Sequence, residues 1–280
     1  MYPYHSQIYL GEVALYVEDV YRVSQFYQQI LGLAVLAETD TEVLLGVGKE
    51  GLVRLLPATQ GKSRTCGLYH LALLVPERKD LAAIFKRLVE NRISMVGGSD
   101  HGYSEAIYLE DPEGNGIELY YDKDVMQWDI REDGRIVGVT EELAVQELYE
   151  DGAYTEPFQL ARGTRMGHVH LSVRESQPAS AFYRALLGLE DKFSIPTGSW
   201  LASGDYHHHL AVNEWSGKHL KPHQKGQAGL AYFTVLVESK EYLLAVYERA
   251  IHLGVSVRWL QSRLLELTDT DGIVVRVGMK

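Results

Sequence analysis

The sequence is poor in cysteine, in basic charge and in long apolar runs. Cys66 is the single cysteine among 280 residues, which excludes an internal disulfide framework and suits a reducing compartment. Lysine and arginine number 27 against 38 acidic residues, and the net charge of −11 argues against nucleic acid and anionic membranes as partners. No run approaches the ~18 apolar residues that span a bilayer, and residues 1–6 lack the features of a signal peptide. We therefore expect a soluble cytoplasmic protein.

The sequence does contain an internal repeat. Residues 12–33 correspond to 168–189 at a constant spacing of 156 positions: Phe26-Tyr27 recurs as Phe182-Tyr183, and Leu31-Gly32-Leu33 recurs as Leu187-Gly188-Leu189. A later pair of segments also corresponds, because Asp111-Pro112-Glu113-Gly114 matches Asp269-Thr270-Asp271-Gly272. We interpret the chain as two modules, 1–121 and 167–280, joined by a charged connector, 122–166. Each module has two halves, so the chain has four quarters.

The hydrophobic periodicity predicts the same order of elements in every quarter: a strand, a helix and three further strands. The first quarter begins with a strand at 8–17 and a helix at 20–31, which Gly32 caps with a positive φ. The second has a helix at 80–91 with Asp80 as N-cap, then a strand at 94–96. A short connector helix is predicted at 141–149, after Thr140. Four βαβββ units predict an α+β fold of curved mixed sheets with helices outside.

The stretch from His101 to Glu118 carries the first functional signal. It predicts a hairpin whose strands at 106–109 and 117–121 flank a turn rich in proline and glycine. Strand alternation places Glu118 among apolar neighbours, and a buried carboxylate needs a cation or a hydrogen-bond donor. The alternative is an ordinary edge-strand glutamate in water.

Tandem βαβββ units that end in Asp-Pro-x-Gly-Asn-x-Ile-Glu resemble the vicinal oxygen chelate superfamily, which holds glyoxalase I, extradiol ring-cleaving dioxygenases and bleomycin-resistance proteins. The spacing of His101, Tyr108, Asp111 and Glu118 resembles the extradiol dioxygenase signature, although Ser99 stands where the family usually has another small or branched residue. Segments 167–173 and 204–213 look closest to two-module bacterial catechol 2,3-dioxygenases. This resemblance implies that Glu118 is an iron ligand and that His101 and Tyr108 line a substrate pocket.

The resemblance also implies that each quarter offers metal ligands from its first and later strands. The second and third quarters offer His70, Glu118, His168 and His209, whereas the first and fourth offer Glu12, Val53, Tyr232 and Arg276. Guanidinium has no lone pair to give a metal. Quarters can pair within a module or between modules. We favour the crossed pairing of the second quarter with the third, which collects the four good ligands around one ion and leaves the complementary site empty.

Two imidazoles and one carboxylate are the facial set of non-haem Fe(II) oxygenases. His70, His168 and Glu118 would hold Fe(II), with Mn(II), Zn(II) and Ni(II) as alternatives. On strand parity His209 points to the metal, as a fourth ligand or as a general acid/base. Its neighbour His208 matches the catalytic histidine of the family almost as well, one position away.

The resemblance implies a metal-dependent extradiol dioxygenase of the catechol 2,3-dioxygenase type, acting with O₂ on a catechol or hydroquinone-like ring. Its catalytic residues would be drawn from His208, His209, Tyr108 and His101. Two alternatives stay open: a glyoxalase-like lyase or isomerase with four protein ligands on Ni²⁺ or Zn²⁺, and a resistance protein that binds an aromatic compound without metal. The substrate, the native metal and the oligomeric state, a homo-oligomer included, are left open by the sequence.

Overall fold

The computed structural model describes residues 5–217 and 219–280. The first quarter forms β1 (Ile8–Val17), α1 (Val20–Gln29), β2 (Ala34–Glu38), β3 (Val43–Val47) and β4 (Glu50–Pro57). The second forms β5 (Gly67–Leu74), α2 (Arg78–Glu90), β6 (Gly97–Asp100), β7 (Ser104–Glu110) and β8 (Gly116–Asp122). Between the modules lie the two-residue strands β9 (Asp129–Ile130), β10 (Ile136–Val137) and β11 (Glu141–Glu142), followed by α3 (Val145–Asp151).

The second module repeats the order of the first. The third quarter forms β12 (Arg165–Ser172), α4 (Ser176–Leu187), β13 (Glu190–Ile195), β14 (Gly198–Ala202) and β15 (Leu210–Asn213). The fourth forms β16 (Gly229–Val237), α5 (Lys240–His252), β17 (Val257–Gln261), β18 (Leu264–Thr268) and β19 (Val274–Met279). Four βαβββ units are therefore present, and the predicted α+β fold is confirmed. In the part of the chain that the structure describes, no helix has the length and apolarity to cross a bilayer.

Each of the two large sheets takes strands from both modules. A nine-stranded sheet has the order β11-β6-β7-β8-β5-β12-β15-β14-β13, so the second quarter meets the third where β5 pairs antiparallel with β12. An eight-stranded sheet has the order β17-β18-β19-β16-β1-β4-β3-β2 and joins the first quarter to the fourth. The crossed pairing predicted from the ligand distribution is therefore confirmed.

Strand alternation separates the core from the site. Val169 and Leu171 of β12, and Leu71 and Leu73 of β5, belong to one large hydrophobic cluster that also receives the helices. The side chains at intervening positions point to the opposite face of the sheet. On β12 these include His168, which is nearly free of solvent contact. The core therefore fixes the backbone from one side and leaves the other face available for polar groups.

Several local predictions need correction. The N-cap of α2 is Glu77, and Asp80 instead occupies the third helical position, where it completes a capping box. The strand expected at 94–96 begins at Gly97, after a turn in which Arg92 has a φ of 55°. The connector helix begins at Val145 instead of residue 141 because residues 141–142 pair with β6 and extend the nine-stranded sheet.

Candidate metal site and cavity

Three side chains from three adjacent strands converge on the polar face of the nine-stranded sheet. Glu118 of β8 and His168 of β12 both lie opposite Ala72, the β5 residue between them. His70 precedes Ala72 by two positions and so lies on the same face of β5. The small side chain of Ala72 leaves room for the longer groups on either side to approach each other.

The geometry of the three donor atoms suits a single ion. His70 Nε2 lies 3.0 Å from Glu118 Oε2, His168 Nε2 lies 3.2 Å from the same oxygen, and the two nitrogens are 3.3 Å apart. Ligands about 2.1 Å from a metal and at right angles to each other would be about 3.0 Å apart. Among the described residues this is the one group of three or more histidine, cysteine or acidic side chains that could hold an ion.

The electrostatics of the group also match a metal site. Burial raises the pKa of Glu118, but the imidazoles of His168 and His70 outweigh burial and hold this pKa well below its usual range. Burial lowers the pKa of His168 to about 4, although the Glu118 carboxylate acts in the opposite direction. The carboxylate is therefore ionised and the His168 ring is neutral, which are the forms that a metal requires. The neutral His168 ring, the ionised carboxylate and the nearby His70 Nε2 form a converging donor set, so these residues fit a bound metal.

A cavity of about 660 Å³ opens beside these three residues. One part of its wall is aromatic and comes from the third quarter and from β5: Tyr69, Phe193, Trp200 and Trp215. Another part is polar and comes from β7, the loop before it and the loop before β15: His101, Tyr108 and His208. The cavity therefore offers an apolar aromatic surface next to a cluster of hydrogen-bonding groups, as a polar aromatic ligand would require.

Tyr108 and His101 form a hydrogen-bonded pair at the cavity wall. His101 Nδ1 lies 2.8 Å from the carbonyl oxygen of Val139, which can only accept, so Nδ1 carries the proton. With its proton at Nδ1, His101 accepts the hydroxyl proton of Tyr108 at Nε2, at 2.6 Å. Burial, and then the charge of Glu118, raise the pKa of Tyr108 well above its usual value, so the phenol stays protonated.

His208, and not His209, lies beside the candidate metal ligands. Its ring centroid is 4.1 Å from that of His168, and the ring lines the cavity. His209 Nδ1 instead accepts the backbone N–H of Ser203 at 3.3 Å, and its Nε2 lies 3.4 Å from Ser6 Oγ. Among the described residues, the structure therefore places His209 outside the donor group of His70, Glu118 and His168 and outside the cavity lining. The parity argument failed because β15 begins only at Leu210, so the preceding histidines do not alternate as in a strand.

Two functional candidates escaped the sequence analysis. His207 Nε2 lies 2.9 Å from Asp122 Oδ1, and His207 Nδ1 lies 2.7 Å from His208 Nδ1. Asp122 is the last residue of β8, four positions after Glu118 and hence on the same face. The four-residue spacing from Glu118 indicated that Asp122 could face the site, but Asp122 was assigned to the connector and not to the strand.

The equivalent positions of the eight-stranded sheet hold an ion-pair network instead of metal ligands. Arg54 donates two hydrogen bonds to Glu12, at 2.9 and 3.0 Å, and the hydroxyl of Tyr232 donates a third at 2.6 Å. The guanidinium of Arg276 lies 3.6 Å from the centroid of the Tyr232 ring and also pairs with Glu266 at 3.0 Å. The complementary site expected to be empty is therefore filled by charged side chains of the chain itself.

Comparisons with known proteins agree with this architecture. The family model described as Glyoxalase/Bleomycin resistance protein/Dioxygenase superfamily matches residues 9–119 and 165–259. The chain is 33% identical over 260 residues to catechol-2,3-dioxygenase of Bacillus subtilis (strain 168), covering 90% of this chain and 91% of that protein. It is 30% identical over 125 residues to biphenyl-2,3-diol 1,2-dioxygenase 3 of Rhodococcus globerulus, covering 40% and 63% of the two chains.

Solved structures show the same fold at low sequence identity. A crystal structure from Bacillus subtilis has a TM-score of 0.69 and 14% identity, covering 99% of this chain and 86% of that chain. Glyoxalase I from Zea mays has a TM-score of 0.61 and 15% identity, covering 98% and 93%. With a family model that matches most of the sequence and a relative that aligns along nearly its full length, this chain belongs to the Glyoxalase/Bleomycin resistance protein/Dioxygenase superfamily.

Proposed function

We propose that the protein is an Fe(II)-dependent extradiol dioxygenase that cleaves a catechol or hydroquinone-like ring with O₂. The observation that carries this proposal is the convergence of His70, His168 and Glu118 on one point, with donor atoms no more than 3.3 Å apart. Two imidazoles and one carboxylate are the facial set of non-haem Fe(II) oxygenases. The catechol-2,3-dioxygenase of Bacillus subtilis that aligns along most of the chain supports the same reaction.

His70, Glu118 and His168 all line the cavity, so an ion that they held would be accessible from it. An Fe(II) ion held there would supply coordination positions for both hydroxyls of the substrate and for O₂, and would make those hydroxyls more acidic. The protein's own contribution is orientation. The aromatic wall at Trp200 and Trp215 contacts the faces of the substrate ring, and a cavity of about 660 Å³ is large enough for a substituted ring.

Proton transfer falls to the polar wall of the cavity. His208 lies against His168 and lines the cavity, so it takes a hydroxyl proton from the substrate. Tyr108 lies opposite Glu118 in the strand register, and its ring centroid is 5.7 Å from that of His70. Its hydroxyl donates to His101, so its oxygen is left to accept a hydrogen bond from a substrate hydroxyl. Both partners are small molecules, O₂ and the diol, and the cytoplasm remains the expected compartment.

The structure favours this reaction over the glyoxalase-like alternative. That alternative rested on four protein ligands around one ion, and the described residues bring three together at this point. The fold similarity to glyoxalase I from Zea mays is at 15% identity and carries no information on the reaction. A binding protein without metal would bury the Glu118 carboxylate against His70 and His168 with no metal ion to balance its charge, which is costly.

The test is metal loading followed by ring cleavage. Metal-free protein is loaded anaerobically with Fe²⁺, Mn²⁺, Zn²⁺ or Ni²⁺ in parallel, mixed with catechol or a substituted catechol, and exposed to O₂. We expect a yellow ring-opened product and stoichiometric O₂ uptake with Fe²⁺, and neither with Zn²⁺ or in metal-free protein. Protein that holds Fe²⁺ at one equivalent yet consumes no O₂ with a broad panel of diols would contradict the proposal.

A further inference from the structure

A chain of three buried polar side chains leads away from the cavity on the side of His208. The carboxylate of Asp122 contacts His207 Nε2 at 2.9 Å, and both side chains are fully shielded from solvent. His207 Nδ1 contacts His208 Nδ1 at 2.7 Å, in the same buried region. Neither Asp122 nor His207 lines the cavity or belongs to the metal set. The hydrogen bonds of Asp122 and His207 therefore serve a role other than direct binding of the ion or the substrate.

The hydrogen bonds of this chain determine which nitrogen of each ring carries the proton. An ionised carboxylate can only accept, so His207 donates from Nε2. With its proton at Nε2, His207 has a lone pair at Nδ1, and the contact between the two Nδ1 atoms then assigns the donated proton to His208. His208 consequently carries its proton at Nδ1 and has its lone pair at Nε2, the one ring nitrogen left for the cavity that His208 lines.

An aromatic enclosure holds His207 in this orientation. Tyr103 stacks on the ring with centroids 4.2 Å apart and planes inclined by 11°, and Tyr206 lies on it at 4.0 Å. Trp128, from the segment between the modules, is 5.2 Å away and belongs to the same buried cluster. A ring packed between aromatic neighbours cannot rotate freely. The connector therefore completes the wall that keeps His207 between Asp122 and His208.

We infer that Asp122 and His207 are positioning residues, which fix the tautomer and the orientation of His208 so that its Nε2 can accept a substrate proton. This inference rests on the proposed function. In the step that it serves, the O–H bond of a substrate hydroxyl breaks and an N–H bond forms at His208 Nε2, while the Nδ1–H of His208 stays directed at His207. The fixed Asp122 carboxylate stabilises the resulting imidazolium through His207, as a carboxylate does behind a catalytic histidine.

The kinetic test uses the Fe²⁺-loaded enzyme and the variant Asp122→Asn. An asparagine amide can donate to His207 Nε2, which reverses both tautomers and moves the lone pair of His208 away from the cavity. We expect kcat to fall about 100-fold with KM and iron content unchanged, since general base catalysis contributes on that order. The control Asp191→Asn removes a carboxylate that contacts Ser194 Oγ at 2.7 Å on β13, and should keep the wild-type kcat.

Two further comparisons separate positioning from general damage. In a double-variant cycle, Asp122→Asn combined with His208→Gln should fall no further than His208→Gln alone, because both changes remove the same function. His207→Asn keeps an acceptor oxygen near the position of Nδ1 and should retain more kcat than His207→Leu. Full kcat in Asp122→Asn, or additive losses in the cycle, would overturn the inference.

A spectroscopic test does not depend on turnover. In ¹⁵N-histidine-labelled, Zn²⁺-loaded protein, two-bond ¹H–¹⁵N correlation spectra report which nitrogen of each ring is protonated, and His208→Gln assigns the signal. We expect the Nδ1–H form of His208 in the wild type and its loss in Asp122→Asn. A wild-type His208 protonated at Nε2 would overturn the inference. If no diol is cleaved, the proposed function fails, and these spectra still decide the tautomer.

Discussion

The two sheets of this protein treat equivalent positions in opposite ways. In the nine-stranded sheet a buried carboxylate, Glu118, faces two imidazoles and no cationic side chain among the described residues within ion-pair distance. In the eight-stranded sheet Glu12 faces Arg54, which donates two hydrogen bonds to it. The nine-stranded sheet therefore leaves the charge of Glu118 to be balanced by a bound cation. The eight-stranded sheet balances the charge of Glu12 with the guanidinium of Arg54. The comparison shows that the scaffold alone does not make a metal site.

The difference can be traced to single residues. The position of Glu118 on β8 corresponds to Arg276 on β19, and that of His70 on β5 corresponds to Tyr232 on β16. Tyrosine and arginine are donors where the other sheet has acceptors, so these positions bind a carboxylate instead of a metal. Replacing acceptors by donors at these positions thus gives a structural ion pair in place of the proposed metal site.

The largest expected effect comes from breaking the metal site of the nine-stranded sheet. Glu118→Ala should lose bound metal, from about one equivalent to less than a tenth, and with it ring cleavage, because the carboxylate contacts both imidazoles. Ile117 and Leu119 stay in the core, so the fold should persist. Elemental analysis, O₂ uptake and circular dichroism measure these outcomes.

The matched control is Glu12→Gln, the corresponding loss of a carboxylate from the eight-stranded sheet. It should keep metal content and turnover, since Glu12 is engaged by Arg54 and Tyr232 and not by the metal set. Metal at full occupancy in Glu118→Ala, or metal loss in Glu12→Gln, would show that the ligands have been assigned to the wrong sheet.

The second-largest expected effect is a loss of stability when the ion pair of the eight-stranded sheet is broken. Arg54→Met should lower the free energy of unfolding by about 1–3 kcal/mol, because it leaves the partly buried Glu12 carboxylate without its cation. Metal content should not change. Denaturant unfolding of metal-free protein measures the effect. A variant as stable as the wild type would mean that water or Arg276 replaces Arg54 at no cost.

The lowered pKa of Glu12 makes the stability contributed by its ion pair depend on pH. Burial acts to raise its pKa, but Arg54 and Tyr232 outweigh burial, so the pKa in the folded protein is below the ordinary 4.5. A lowered folded-state pKa contributes stability above pH 4.5 that is lost as the pH falls through the folded-state value. The wild type should therefore exceed Glu12→Gln in melting temperature at pH 7, and the difference should shrink by pH 3.5. A constant difference would contradict the ion-pair assignment.

Much of the fold and part of the site could be predicted from sequence. β1 was predicted at its observed bounds because the segment is a long, mainly apolar run that ends before Glu18-Asp19, and the uneven distribution of ligands predicted which quarters pair. The placement of His209 failed because strand parity applies only inside a strand, and three consecutive histidines give no signal of where the strand begins. Asp122 was missed because its partner, His207, is distant in sequence and the pairing exists only in the folded chain.

The smallest expected effect is that of a single hydroxyl in each sheet. Tyr232→Phe removes one hydrogen bond to Glu12, at 2.6 Å, and should cost about 1 kcal/mol of stability while leaving turnover unchanged. Tyr108→Phe, at the cavity, should instead lower kcat/KM about tenfold with little loss of stability, since its hydroxyl contacts His101 and faces the substrate. Unfolding and steady-state kinetics on both variants provide the comparison. A structural tyrosine and a substrate-binding tyrosine must respond differently in these two measurements. If both variants changed the unfolding free energy and kcat/KM equally, the assignment of Tyr232 to stability and of Tyr108 to substrate binding would be wrong.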